Sequence, residues 1–419
     1  MKFLRVGICA LLVFGVAAHG GVEDWARMVL EAGTGLLLLA WAARIYLYRQ
    51  EQVVVSPLLL PMGALAAIVA VQWIFHRTEL AYGTRTEFQL LLADVAFLFL
   101  AAQVFRTMED WKKFMWFAMI FGFVVCTFGI LQHLTFNGKI YWFREMRFGG
   151  VPFGPYVNRN HFAAFAELLI PISLVPLLLG KVRRERLFVV GLFAVLQIGA
   201  LLLAASRGGI LSFGVELAVL VVWLVLRRPD GKQLLALGGI LVTVLLLISW
   251  IGVRQITQRF SAMQSLEITN GKRASMRADS WRIFLDHPVL GTGLGTLQAV
   301  FPPYDTLYDG KIVNHSHNDY LEALAETGSL GGLCCLWFLS VFFFEAIQRA
   351  RPSQRSFASI VQFSASLGCL GFLVHSLVDF NLHIPVNAML FFVLALLATT
   401  QIEPAAPDQV SFRSRRRKH

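Results

Sequence analysis

The sequence predicts an all-α, polytopic integral membrane protein with about twelve transmembrane helices and one large loop between helices nine and ten. Three observations predict it. Hydrophobic residues make up 57% of the chain and charged residues only 15%, where a soluble domain carries roughly a quarter charged. The apolar residues come in long uninterrupted runs, of the length that crosses a hydrocarbon core of about 30 Å as a helix. A spanning β-barrel would instead show segments of ~10 residues with alternating polarity, and the chain has no such pattern.

Apolar segments fall near residues 3–18, 27–47, 57–75, 88–105, 112–134, 160–180, 187–205, 209–226, 233–252, 329–347, 357–378 and 383–400. The first also has the composition of a signal peptide, with Lys2 and Arg5 before an apolar stretch that ends in Ala17 and Ala18. Either way the next helix starts from the outside. Residues 1–134 form an N-terminal group of helices and residues 135–400 a second region that includes the long loop 253–328. Residues 401–419 form a basic tail.

Basic residues orient the chain. Lys2, Arg5, Arg44, Arg49, Arg106, Lys112, Lys113, Lys181, Arg183, Arg184, Arg186, Arg227, Arg228, Lys232, Arg349, Arg351, Arg355 and the tail from Arg413 to Lys418 all fall on one side. They are 22 of the 37 lysines and arginines, every one in a short connection or a terminus. The positive-inside rule makes that side cytoplasmic, with both termini on it. The net charge of +11 is therefore an orientation signal with affinity for anionic lipid, not a nucleic-acid footprint. The five cysteines (Cys9, Cys126, Cys334, Cys335, Cys369) lie inside apolar segments and form neither metal spacing nor a disulfide framework.

Two connections on the opposite side carry the chemistry. Residues 135–159 contain Phe148-Gly149-Gly150 and lead into Asn158-Arg159-Asn160-His161. Residues 253–328 are too long for a mere connector. They hold Trp281, Ile283, Phe284, Phe301, Tyr304 and Tyr308, so the loop should fold, because disorder requires low hydrophobicity. Within it, Arg273 to Asp286 reads as a helix. At about 100° per residue Arg273 and Arg277 share a face, with Trp281 close to that stripe and Arg282 pointing elsewhere. Gly291-x-Gly293-x-Gly295 follows without a preceding strand, so a dinucleotide site is rejected. A tight turn whose amides point at an anion stays open.

Next comes Asn314-His315-Ser316-His317-Asn318. A His-x-His pair invites a metal, but no cysteine or third histidine follows at ligand spacing, so no metal or cofactor is assigned. Two surface histidines capping a helix, or a general base that is neutral near pH 7, are both open readings. Ser206-Arg207-Gly208-Gly209 joins two spans with almost no loop, which places Arg207 at the membrane edge. An arginine there costs a few kcal/mol unless it snorkels or meets an anion. Asp379-Phe380-Asn381-Leu382-His383 is a polar hairpin between the last two spans. Outward arginines suit a phosphate held at the membrane, since the planar guanidinium fork matches phosphate oxygens.

The ordered set Asn158-Arg159-Asn160-His161-Phe162-Ala163, Ser206-Arg207-Gly208-Gly209, Arg277-x-x-x-Trp281 with His287-Pro288-x-x-Gly291-x-Gly293-x-Gly295, and His317-Asn318-x-x-Leu321 ending at Glu326-x-Gly328 resembles the O-antigen ligase and O-antigen polymerase superfamily. The resemblance spans roughly residues 140–400. It implies a bacterial inner-membrane glycosyltransferase that uses undecaprenyl-diphosphate-linked glycan at the periplasmic face, without a metal. The acceptor would be a glycan, a lipid A core or a protein, and residues 253–328 would be periplasmic. Residue by residue, Arg207 and Arg277 match arginines that grip the diphosphate, and His317 matches the histidine that activates the acceptor hydroxyl. Arg273 has no firm counterpart but shares the Arg277 face. With Asn158, Asn160, His161, His315 and Asn318 it completes the expected substrate-binding set. A transporter of a small anion such as bicarbonate is the competing class. Such folds show internal repeats with broken helices at the midplane, whereas here the charge gathers at one face.

Overall fold

The structure is a computed structural model that describes residues 1–48, 52–145, 151–251, 263–354 and 356–402. The Phe148-Gly149-Gly150 turn, Arg49, Arg355 and the basic tail from Arg413 lie outside the described residues.

Each predicted apolar segment is a helix: α1 (Lys2–Ala17), α2 (Asp24–Leu47), α3 (Leu59–Ile74), α4 (Ala81–Val104), α5 (Met108–Leu134), α6 (Arg159–Leu178), α7 (Leu187–Ala204), α8 (Arg207–Leu226) and α9 (Gly231–Ile251). The long loop contributes α10 (Met263–Asp286) and the single turn α11 (Leu297–Val300), and the chain closes with α12 (Asp319–Arg349), α13 (Phe357–His375) and α14 (Pro385–Thr399). There is no strand among the described residues, only the isolated bridges Ile140–Arg144 and Phe153–Tyr156. Eight of the described helices are long and apolar enough to cross a membrane, and α3, α14 and Gly231–Thr243 of α9 are shorter apolar helices. The protein is an all-helical, polytopic membrane protein. Large apolar side chains such as Leu36, Leu39, Leu235, Leu333 and Phe344 point outward, as a surface solvated by lipid tails requires.

Helix α6 is the centre of the bundle. Its side chains are buried from His161 through Pro176, and α5, α7, α8, α13 and α14 pack around it. It tolerates Pro171 and Pro176 because neighbouring helices enclose the backbone groups that a proline frees. Without a hydrophobic drive between helices in lipid, close contact depends on small residues. Gly368 of α13 lies against the α6 backbone, where an added Cβ would stand 2.7 Å from the Leu168 carbonyl oxygen.

Two helices begin about two turns or more before the spans that hydropathy predicts. α4 starts at Ala81, and α12 starts at Asp319, ten residues before the expected span at 329. The extra turns of α12 are polar, and Asn318 caps them by accepting from the amides of Tyr320 and Leu321. The helix then bends at Gly328 (φ 62, ψ −166). There the Ser329 amide donates to the Pro288 carbonyl at 2.8 Å and the Leu330 amide to Val289 at 3.3 Å.

The glycine turn before this bend does not bind an outside anion. Its amides are taken by α12: Thr292 and Gly293 donate to the carbonyls of Ala325 and Glu326, and Gly295 and Leu297 each donate at 2.8 Å to the Glu326 carboxylate. Gly291, Gly293 and Gly295 all have positive φ, a conformation that only glycine adopts freely. The buried side chain of Gln72 on α3 adds bonds to Leu290, Glu326 and Leu294. From residue 263 onward the long loop is folded, as its aromatic content predicts, around Ile283, Leu297, Phe301, Val313 and Ala325, and its residues 253–262 lie outside the described residues. Buried Asp279 ties α10 to this unit by accepting from the Thr306 amide and hydroxyl.

Candidate active site

Four segments distant in sequence meet at one end of the bundle. The starts of α6 and α8, the outer face of α10 and the turn after α13 enclose a cavity of about 270 Å³ lined by Arg159, Asn160, Arg207, Gly208, Leu211, Arg273, Arg277, His375, Val378 and Asp379.

Local backbone places these groups. Ala205 adopts φ 49 and Ser206 caps α8 through the Gly209 amide, so the chain reverses without a loop and Arg207 becomes the exposed first residue of α8. Asn158 caps α6 by accepting from the Asn160 amide at 2.9 Å. That leaves the Asn160 side chain free to donate to Asp379 Oδ2 at 2.5 Å. Arg273 and Arg277 reach the cavity from one face of α10. Arg282 instead pairs with Asp279 at 3.1 Å. Trp281, expected beside the arginine stripe, packs on Phe284 and is not among the lining residues. Arg207, Arg273 and Arg277 make no ion pair among the described residues.

Asp379 anchors the site. It is 1% exposed. Its Oδ1 lies 3.1 Å from His317 Nδ1, accepts from the Phe380 amide at 3.0 Å and is 4.0 Å from His161 Nε2. Burial alone would raise its pKa. The hydrogen bond from His317 and the nearby His161 and His375 rings outweigh that and hold it well below the usual carboxylate range. With Nδ1–H donating to Asp379, the Nε2 of His317 is left for another partner. His317 has φ 53 and does not itself line the cavity; it meets the site through Asp379.

Of the residues predicted from sequence, Arg207, Arg273, Arg277 and Asn160 line one cavity, and His317 is hydrogen-bonded to its wall. The others do not line it. Asn158 and Asn318 are helix caps, and the Asn318 side-chain amide donates to the Leu377 carbonyl at 2.9 Å and does not orient the His317 ring. His161 is buried against Phe380. His315 stacks on Phe380 (centroids 4.1 Å apart) and places its Nδ1 2.7 Å from Glu322 Oε1.

Sequence reasoning missed His375 and Glu167. Both are buried, with His375 Nδ1 3.0 Å from Glu167 Oε1, while His375 Nε2 has no partner and its ring lines the cavity. The available signal was an ionisable pair inside otherwise apolar spans, which is a functional hint in any membrane protein. A metal-type cluster was also missed: ligand atoms of His315, Glu322 and His383 lie within 4.8 Å of one another. The third histidine was absent at ligand spacing because it sits beyond the next two spans. Burial disfavours charge on His383, but Glu322 and Asp319 outweigh burial and push its pKa up to about 10.

Fold and site together define a polytopic membrane protein with an arginine-lined cavity and a histidine–aspartate pair at one end of its bundle. Residues 192–336 match the family model described as O-antigen ligase, so the chain is similar to that family over this stretch, as its motif set implies. The match takes in Arg207, Arg273, Arg277 and His317, and leaves Asn160, His375 and Asp379 outside. The chain is also 26% identical over 270 residues to the teichuronic acid biosynthesis protein TuaE of Bacillus subtilis (strain 168), a match covering 60% of this chain and 53% of that protein. The matched stretch thus spans about half the length of that curated relative.

Proposed function

We propose that this protein transfers or polymerises a glycan carried on a lipid diphosphate, undecaprenyl diphosphate by its resemblance, at the periplasmic face of the bacterial inner membrane. The observation that carries the reading is the convergence of Arg207, Arg273 and Arg277 on one cavity whose wall, Asp379, holds His317. The donor's anomeric carbon is bonded to diphosphate, which leaves readily once its growing charge is met by fixed cations. Guanidinium groups supply that charge in the role that Mg²⁺ plays elsewhere. His317 Nε2 takes the proton of the acceptor hydroxyl as the oxygen attacks in line, so the anomeric configuration inverts. Asp379 keeps the ring in the productive tautomer and stabilises the imidazolium that forms. A relative in teichuronic acid biosynthesis supports glycan processing in general and leaves the sugar open.

The test uses purified protein, a lipid-linked donor and a defined acceptor. Transfer that is lost in His317→Gln and in Arg277→Ala supports the reading, and normal transfer by both variants would overturn it. In a deletion strain, unattached lipid-linked polymer indicates ligation, and accumulated single repeats indicate polymerisation. Uptake of a small anion into vesicles without lipid-linked sugar would favour the transporter class instead.

A further inference from the structure

We propose that His315, Glu322 and His383 form a binding site for one divalent transition-metal ion, with Zn²⁺ as the best match. The inference does not rest on the glycan reading. Two carboxylates, Asp319 and Glu322, are buried side by side at 3% and 1% exposure, and buried charge must be balanced. Each is already organised as a metal site requires. The two oxygens of Glu322 are divided: Oε2 accepts from the Ser316 amide at 2.8 Å and its hydroxyl at 3.1 Å. Oε1 instead faces two ring nitrogens, His315 Nδ1 at 2.7 Å and His383 Nε2 at 3.3 Å.

The second histidine is oriented from behind. His383 Nδ1–H donates to Asp319 Oδ1 at 2.9 Å, which turns Nε2, the nitrogen that would exchange its proton for the ion, toward Glu322. A histidine ligand held by a carboxylate through its other nitrogen is the recurrent outer-shell arrangement of metal sites. Two histidines and a glutamate also leave a position for water on Zn²⁺. Protonation of both rings and binding of one divalent ion balance the same two carboxylates. What favours the ion is the convergence of three donor atoms within 4.8 Å, with both outer hydrogen bonds in place. His315 and His383 keep 30% and 22% of their side-chain surface open, which provides an entry path. A bound ion would pin the loop before α12 to the turn after α13, the two segments that carry His317 and Asp379.

The test is metal content, read separately from glycan transfer. Full-length protein in lipid nanodiscs is stripped with chelator, exposed to buffered Zn²⁺, and its bound metal measured by mass spectrometry. The expected result is one ion per chain. His383→Gln and His315→Gln should each abolish it, Asp319→Asn should weaken it about 10–100-fold, and the exposed His76→Gln should leave it unchanged. Co²⁺ substitution should give the visible absorption of a low-symmetry nitrogen and oxygen site. No stoichiometric ion on the wild type, or an ion that survives loss of both histidines, overturns the proposal. Zinc bound without glycan transfer would leave this inference standing and remove the other.

Discussion

Under the proposed transfer chemistry, Asp379, Arg207 and Arg277 are the side chains on which turnover depends. Asp379→Asn keeps the size of the side chain but removes the charge that orients His317, so turnover should fall by about 10²–10⁴, near the loss from removing the base itself. An assay of initial rates with intact, inserted protein checks this. Arg207→Lys and Arg277→Lys should each lose most activity, because lysine keeps the charge but not the two-pronged geometry. Arg282→Ala, on the other face of α10, should retain it. The Asp379 carboxylate also links stability to pH. Its folded pKa is depressed, so its contribution is present above the ordinary value of about 3.9 and is lost as pH falls through the folded value. Thermal unfolding in nanodiscs should show a wild-type advantage over Asp379→Asn at pH 6 that shrinks toward pH 3. An advantage unchanged with pH would contradict the buried ionised carboxylate.

Among the elements, the bend of α12 and the glycine turn before it behave as one joint. A side chain at Gly291 meets the backbone of Glu326 and Thr327 while φ is positive. Gly291→Ala should therefore lower stability by about 2 kcal/mol or more, measurable as a drop in unfolding midpoint. An unchanged midpoint would mean that the turn moves away from α12. The start of α12 also shows what hydropathy hides. Asp319, Glu322 and Glu326 look like loop residues in an apolar scan, yet Asn318 caps them into a helix and Gly328 then redirects it into the bundle. The opposite failure hid His375 and Glu167, whose charge is diluted by the apolar runs around them. The arginines were legible because each stands at the start of a helix or along one helical face, where spacing alone sets direction. The pairing of His317 with Asp379 was not, since residues that far apart in the chain meet only through tertiary packing.

At the scale of the whole molecule, the chemical groups gather at one end and the short basic connections mark the other. Reporter fusions test that polarity: a periplasm-specific reporter joined after the exposed Gly310 should be active, and one joined after Lys232 inactive. The reverse pattern would move the cavity to the cytoplasm and remove the lipid-linked donor reading. The bundle adds one property that no single residue owns. Helices α6 and α8 begin at the cavity, at Arg159 and Arg207, so two peptide dipoles direct their positive ends there, each equivalent to about half an elementary charge. That field is fixed by the backbone and neither titrates nor disappears on mutation. An anion would feel it even in a variant stripped of all four arginines that line the cavity, Arg159, Arg207, Arg273 and Arg277, and the residual attraction should fade with added salt as exposed charge is screened.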